Sequence, residues 1–322
     1  MDPVTHGLVG AAVAVISGAE VSITNPLLIA TTLGAVAPDL DIVYQSRGHY
    51  TYLKNHRGLS HSIPGLAFLA SLIGITLSFV FPEANFWGLI LGAFLGALSH
   101  TLLDLMNSYG VMLFYPFSRK KYTFNLLMIT DPFLIGTSLA IIYFGAINSM
   151  GQYYFAGVFS LYLLGRLLMR RRAQALIKKY YYQYSEVIVV MPAFIGLFQW
   201  DFIVRKNNKN IVGQINLITN KIKIHKRLRL ISEEIKETLE DTKIGEFFKE
   251  FTPFWHIDYR IVDDKIVGVF TDMRYFVKNK FLHHATVIVD KESRQVEQGL
   301  FQPYNQKNKI EITYYIYVKI NL

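Results

Sequence analysis

Seven acidic residues stand among the first 184 positions, and four of them border long apolar runs in the company of histidines. Asp39 and Asp41 occur in Pro38-Asp-Leu-Asp41, Asp104 follows His100 by four residues, and Asp131 precedes Pro132. His6, His56 and His61 complete the set, with Arg57 beside the second of them. An ionisable side chain at or inside a lipid-spanning segment is costly to keep, so such a cluster points to function. Imidazole and carboxylate without thiolate is the ligand chemistry of a divalent metal, Zn²⁺ foremost and Mn²⁺ or Fe²⁺ as alternatives. The chain has no cysteine, which excludes disulfides and cysteine nucleophiles as well. His100 and Asp104, at i and i+4, leave one helix face and can share an ion. Asp39 and Asp41, at i and i+2 in an expected extended segment after Pro38, share a side too. His56 and His61 bracket Arg57-Gly58, a turn able to fold both rings inward. The seven donors exceed the four of one tetrahedral zinc, which suits either two ions or one ion with a well-developed hydrogen-bonded surround. An open metal position activates water at neutral pH. Asp39 or Asp41, if not a ligand, is then the candidate general base, and Arg57 the candidate partner of a substrate phosphate or carboxylate.

Plainer roles compete for some of these residues. Asp2-Pro3, Asn25-Pro26 and Asp131-Pro132 match a helix N-cap followed by proline in the first turn. Capping is the better reading for Asp2 and Asn25, whereas for Asp131 cap and ligand stay open. His49 reads as an interfacial polar residue rather than a ligand. Arg170–Arg172 are most simply topology anchors, and Tyr180-Tyr-Tyr182 an interfacial belt.

The elements that must position the cluster come next. The 322 residues carry a net charge of +9 and a mean hydropathy of +0.26, too apolar for a disordered chain. Residues 1–184 hold 12 Lys/Arg and 7 Asp/Glu, against 21 and 17 in residues 185–322. That contrast predicts an α-helical integral membrane domain over 1–184 and a soluble α+β domain with an antiparallel sheet over 185–322. Five to six membrane segments are expected: 4–16 and 26–37, both short, then 63–81, 86–106, 132–147 and 153–169. Loops near 18–25, 82–85 and 148–152 contain no Lys or Arg, so the basic loops and the C-terminal domain are assigned to the cytoplasm. That topology brings His6, Asp39, Asp41, His56, His61, His100, Asp104 and Asp131 to one membrane face. In the second half, 202–205, 214–218, 222–225, 266–271, 285–289 and 312–320 read as strands, 232–241 as a helix, and Asn207–Asn210 and Asp263–Lys265 as hairpin turns. Adjacent His283 and His284 face opposite ways on a strand and do not suit a shared metal, while Phe254, Trp255 and Phe276 read as core.

The set Thr5-His6, Pro38-Asp-Leu-Asp41, His56-Arg-Gly-Leu-Ser-His61-Ser and Ser99-His100 with Asp104, Asn107 and Gly110 resembles the YdjM-type family of bacterial membrane-bound, metal-dependent hydrolases. That family is also described as LexA-binding and inner-membrane-associated. The resemblance covers about residues 1–135. It implies an inner-membrane location, a metal-dependent hydrolase activity, and a metal role for His6, Asp39, Asp41, His56, His61, His100 and Asp104. The expectation is therefore a multi-pass membrane hydrolase of the bacterial cytoplasmic membrane, acting at the cytoplasmic face on a lipid-linked or phosphate ester. The alternative is a non-catalytic regulator or scaffold with a structural metal. Membrane lipids and a protein partner of the soluble domain are the expected contacts. The basic surplus of that domain is too small to argue for direct nucleic-acid binding.

Overall fold

A computed structural model of the chain describes residues 1–47, 51–52, 55–181, 185–304 and 309–311. The expected strand at 312–320, and also His49, lie outside these residues. Among the described residues the long helices of the first part are α1 (Pro3–Ile16), α2 (Pro26–Val36), α3 (Ile63–Val80), α4 (Phe86–Met106), α5 (Pro132–Ala146) and α6 (Gly151–Tyr180). Their starts follow the sequence signals. Asp2, Asn25, Ser62, Asn85 and Asp131 each accept bonds from first-turn amides, a cap contributing about 1 kcal/mol, and proline opens α1, α2 and α5.

Among the described residues, three stretches are long and apolar enough to cross a membrane: Pro26–Ser46, in which α2 continues as a 3₁₀ helix, then Ile63–Val80 and Phe86–Met106. Pro3–Ile16 and Pro132–Ala146 are shorter apolar helices. α6 is not among the three, because tyrosines and Arg166 dilute its apolar first half. It also runs well past residue 169, the end that its apolar run suggests.

Small residues set how closely these helices approach. A Cβ on Gly96 of α4 would collide with the Thr31 carbonyl and the Ala35 amide of α2, and one on Gly34 with the Ala93 backbone. α2 is thus clamped backbone-to-backbone on α4.

Two antiparallel sheets follow. The first is a meander of β1 (Ser185–Pro192), β2 (Gln199–Lys206), β3 (Lys209–Asn216) and β4 (Ile222–Arg229). The chain then forms α7 (Glu233–Glu240), α8 (Lys243–Phe251), β5 (Trp255–Val262) and β6 (Lys265–Asp272). A small hairpin, β7 (Phe276–Val277) with β8 (Lys280–Phe281), precedes β9 (His284–Asp290), β10 (Val296–Gln302) and β11 (Ile310–Glu311). The second sheet has the order β11-β10-β9-β6-β5. Both expected hairpin turns form, with positive φ at Asn207 and Asn208 and at Asp263 and Asp264, as a two-residue primed turn requires.

Phe247, Phe248 and Phe251 of α8 pack on Phe270, Ala285, Val287 and Phe301 of the second sheet, giving that half its core. Trp255 packs against the same core and Phe254 against Val189, Met191 and Ile203, as expected of core aromatics. The first sheet is buried on both faces. One face packs on Met273, Phe254 and Phe281, and the other receives Ala173, Ile177 and Tyr181 from the end of α6 against Trp200, Phe202 and Val204. Tyr181 therefore belongs to this core, 5.9 Å from Phe202, and not to an interfacial belt; Tyr180 is exposed and Tyr182 lies outside the described residues.

Candidate metal centre

His6 sits in the first turns of α1, His100 and Asp104 in the last turns of α4, and Asp39 and Asp41 in the 3₁₀ stretch Ala37–Arg47 beyond α2. Arg57 adopts φ +63° between His56 and a short 3₁₀ turn, Leu59–His61, that leads into α3. All these segments meet at one end of the helical bundle. The seven expected donors form one contiguous cluster containing three groups that could hold a metal ion: His6, Asp39 and His100; His61, His100 and Asp104; and Asp39, Asp41 and His56.

The centre of the cluster is the meeting of two imidazoles. His61 Nε2 and His100 Nε2 are 3.0 Å apart. His100 Nδ1 lies 2.7 Å from the Ala35 carbonyl, an acceptor only, so the proton belongs on Nδ1 and Nε2 is left with its lone pair. His61 Nδ1 faces Ser60 Oγ at 3.0 Å and Asp41 Oδ2 at 3.7 Å, and donation to either leaves its Nε2 in the same state. Two lone pairs at that separation repel unless a proton or a cation lies between them. Asp39 Oδ1 is 3.5 Å from His100 Nε2 and 3.8 Å from His61 Nε2, and Asp104 Oδ2 is 3.8 and 3.6 Å from the same atoms. Nitrogens bound at about 2.0–2.1 Å to one tetrahedral zinc stand roughly 3.3 Å apart, so this spacing is close to that of a ligand shell. The His6 ring stacks on His100 at 3.5 Å, and both its nitrogens, like Asp104 Oδ2, are buried without a hydrogen-bond partner among the described residues. Buried polar atoms are rarely left so, and a divalent cation would satisfy one His6 nitrogen together with Asp104 Oδ2. The residues fit such an ion.

The segment that carries Asp39 and Asp41 is 3₁₀ rather than extended. A carboxylate oxygen of each still lies within 4.8 Å of the other and of a His56 ring nitrogen, as the expected shared side requires, but the two aspartates take different further partners. Asp39 faces the Nε2 edges of His61 and His100. Asp41 takes the other edge, where it accepts from the Arg57 amide at 3.0 Å and faces His56 Nδ1 at 2.9 Å. Arg57 is turned inward and is only 7% exposed. Its Nε is 3.0 Å from Asp104 Oδ2 but off the N–H axis, an ion pair without a hydrogen bond, while Nη1 donates to Asn107 Oδ1 at 2.9 Å. The α-amino group of Met1 also ion-pairs with Asp104. Asp131 is separate from the cluster: it caps α5 through the Phe133 and Leu134 amides and accepts from Tyr162 Oη at 2.6 Å.

Residue patterns alone assign no role to several supporting groups. Asn107 donates to Asp104 Oδ1 at 2.9 Å and accepts from the Tyr109 amide at 2.8 Å. The Tyr109 ring is approached by two guanidinium groups, Arg57 at 5.3 Å and Arg274 at 4.7 Å from its centre. Arg274, from the loop after β6, donates to the Ser108 carbonyl at 3.0 Å and pairs with buried Asp272 at 2.7 Å. Burial opposes the charge of Asp272, but the Arg274 guanidinium holds its carboxyl below the usual range. His283 approaches Tyr109 Oη at 3.2 Å, and burial holds its imidazole at about 4, neutral at physiological pH. His284 faces Thr271 at 3.2 Å, so the two neighbouring histidines have separate environments, as expected. The Asn107 and Gly110 positions of the motif were the available signal for this support; Tyr109 and Arg274 carry none, since their contact spans more than 160 residues.

Apolar helices with a His/Asp cluster buried at one end define a membrane protein with a candidate metal centre. The family model described as YdjM inner membrane protein matches residues 1–173, more than half of the chain, and the chain belongs to that family. A second model, the YfhP C-terminal alpha/beta plait domain, matches residues 233–310. The chain is 27% identical over 297 residues to the protein YfhP of Bacillus subtilis (strain 168), covering 87% of this chain and 89% of that one. No solved structure matches it.

Proposed function

We propose that the chain is a metal-dependent hydrolase of the bacterial inner membrane, with its site at the cytoplasmic face and a lipid-linked or phosphate ester as substrate. The observation that carries this is the approach of the His61 and His100 Nε2 atoms, with Asp39 and Asp104 oxygens within 4 Å of both. His6, His61, His100, Asp104 and Asp39 would hold the inner ion, and Asp41 and His56, with Asp39 between, could hold a second or orient the first. A bound divalent ion supplies a nucleophile from water and charge stabilisation for the developing oxyanion. Asp41 holds the His61 and His56 rings in orientation, and Asp39, the more exposed of the two aspartates, is the candidate base. Arg57 in its present position neutralises Asp104, so it would have to swing outward to meet a substrate phosphate.

A second reading has its own support. His6, His61, His100 and Asp104 are completely buried, and only Asp39 and His56 give the cluster access, a geometry that also suits a structural ion in a regulator. The test counts metal per folded molecule of the detergent-purified chain and then screens lipid phosphates and phosphodiesters. His100→Ala and Asp104→Ala should each lower bound metal and any hydrolysis at least ~10-fold. Full occupancy in both folded variants would sink the site, and metal without hydrolysis would favour the regulator.

A further inference from the structure

The β1–β2 loop, Ala193-Phe-Ile-Gly-Leu-Phe198, is apolar throughout, and yet Ile195 is 74% exposed, with Phe194 and Phe198 also on the surface. Gly196, at φ +104°, makes the turn that thrusts Ile195 outward. The neighbouring β3–β4 turn does the same with Ile218, which is 67% exposed, and the two are tied together by the Leu217 amide donating to the Phe198 carbonyl at 2.9 Å.

Their position in the fold is specific. Arg166 of α6 donates to the Leu197 carbonyl at 2.5 Å and to the Leu126 carbonyl at 2.9 Å, which fixes the loop beside the start of apolar α5. Between them lies a cavity of about 280 Å³ lined by Met128, Ile129, Pro132, Phe194 and Ile195. Phe133 at the start of α5 and Leu164 and Leu168, which flank Arg166 on α6, are exposed apolar side chains of the neighbouring helices. Arg171, Arg172 and Lys221 are exposed nearby, and Arg172 reaches the β3–β4 turn through Asn220 at 3.1 Å. Apolar tips flanked by cations are the composition of a segment that lies in a lipid interface.

We propose that these two turns dip into the same bilayer that the apolar helices cross, where they meet acyl chains while the flanking cations meet anionic headgroups, so that the first sheet stands with one end in the membrane surface. The opposite hairpin tip, Asn207–Asn208, then points into water, about 23 Å away along the strands. This rests on the fold and not on the hydrolase reading.

The chain has no cysteine, so a single introduced one takes the only label. Ile195→Cys and Ile218→Cys would be spin-labelled in the full chain and reconstituted into mixed phosphatidylcholine and phosphatidylglycerol vesicles. Asn208→Cys serves as the water reference and Phe79→Cys, on the exposed side of α3, as the lipid reference. Labels at 195 and 218 should collide with oxygen in preference to a water-soluble nickel chelate, with a ratio several-fold above that at 208 and approaching that at 79. A ratio equal to that at 208 overturns the proposal. So does a label immobilised and shielded from both reagents, which would mean a protein contact instead. Both isoleucine side chains are largely exposed on the protein surface, so their replacement removes little packing within the chain.

Discussion

Asp201 shows how one buried group shapes the stability of the sheet half. It is 6% exposed and its carboxylate accepts from Gln214 Nε2 at 2.8 Å, with no cation among its described partners. Burial pushes its pKa up to about 7, against the Gln214 bond that lowers it. A folded pKa above the unfolded value near 4 means that the native state binds the proton more tightly. Its contribution is therefore fully present below about pH 4 and is lost as pH rises through 7. The loss can reach ~4 kcal/mol as an upper bound. Asp201→Asn should remove this dependence. The variant's melting temperature, compared with the parent's, should gain at pH 8 and show little gain at pH 4. An equal difference at both would mean that Asp201 does not titrate with folding. At the metal centre the same scale explains why Asp39 and Asp41 are not equivalent: one faces the Nε2 edges of two imidazoles, the other holds Nδ1 edges and a backbone amide.

Helix approach, more than any single donor, decides whether the centre exists. Gly96 lets α4 touch the α2 backbone, and that contact presents the Ala35 carbonyl to His100 Nδ1. The carbonyl sets the tautomer that frees Nε2 for an ion. Gly96→Val touches no donor but forces the helices apart, so metal affinity should fall by ~10-fold or more, the usual cost of losing a group that orients a ligand. Cobalt titration of the membrane-inserted variant measures it, and unchanged affinity would separate the helix contact from the site. α6 works at the same scale. Its final turns supply Ala173, Ile177 and Tyr181 to the first sheet, so an isolated 185–322 fragment would leave Trp200 and Phe202 uncovered on one face. Each such aromatic is worth roughly 1.5–3 kcal/mol when buried.

Across the whole molecule, Arg274 is the rivet. It joins the loop after β6 to the Ser108 carbonyl and lies over the Tyr109 ring, which Arg57 also approaches. Arg274→Ala strands Asp272 as a buried, unpaired carboxylate, a change costing about 3–5 kcal/mol. Calorimetry should then show the sheet half melting earlier and apart from the helices. Removing both charges, with Arg274→Met and Asp272→Asn, should restore much of the loss. If the double variant melts no higher than the single one, the cost lies in lost packing rather than in the unpaired charge.

Local chemistry made much of this legible before any contact was known. Apolar run length marks the helices, Asp or Asn before proline marks their starts, and paired Asn or Asp marks the hairpin turns, because each is decided by solvent or by backbone geometry within a few residues. α8 is short, nine residues, but its Ile244, Phe247, Phe248 and Phe251 keep the i, i+3, i+4, i+7 spacing of one buried helix face, and the sheet it covers shows what that face packs on. The seven donors could be named from their types and from motif resemblance, but their arrangement could not. Whether Asp41 serves His61 or an ion, whether Arg57 points out or in, and whether Asp131 joins the cluster or only caps α5 all depend on partners 15 to 50 residues away. Those outcomes follow from how closely α2, α4 and the 3₁₀ segments pack, and close packing is a property of the folded chain, not of any stretch of it.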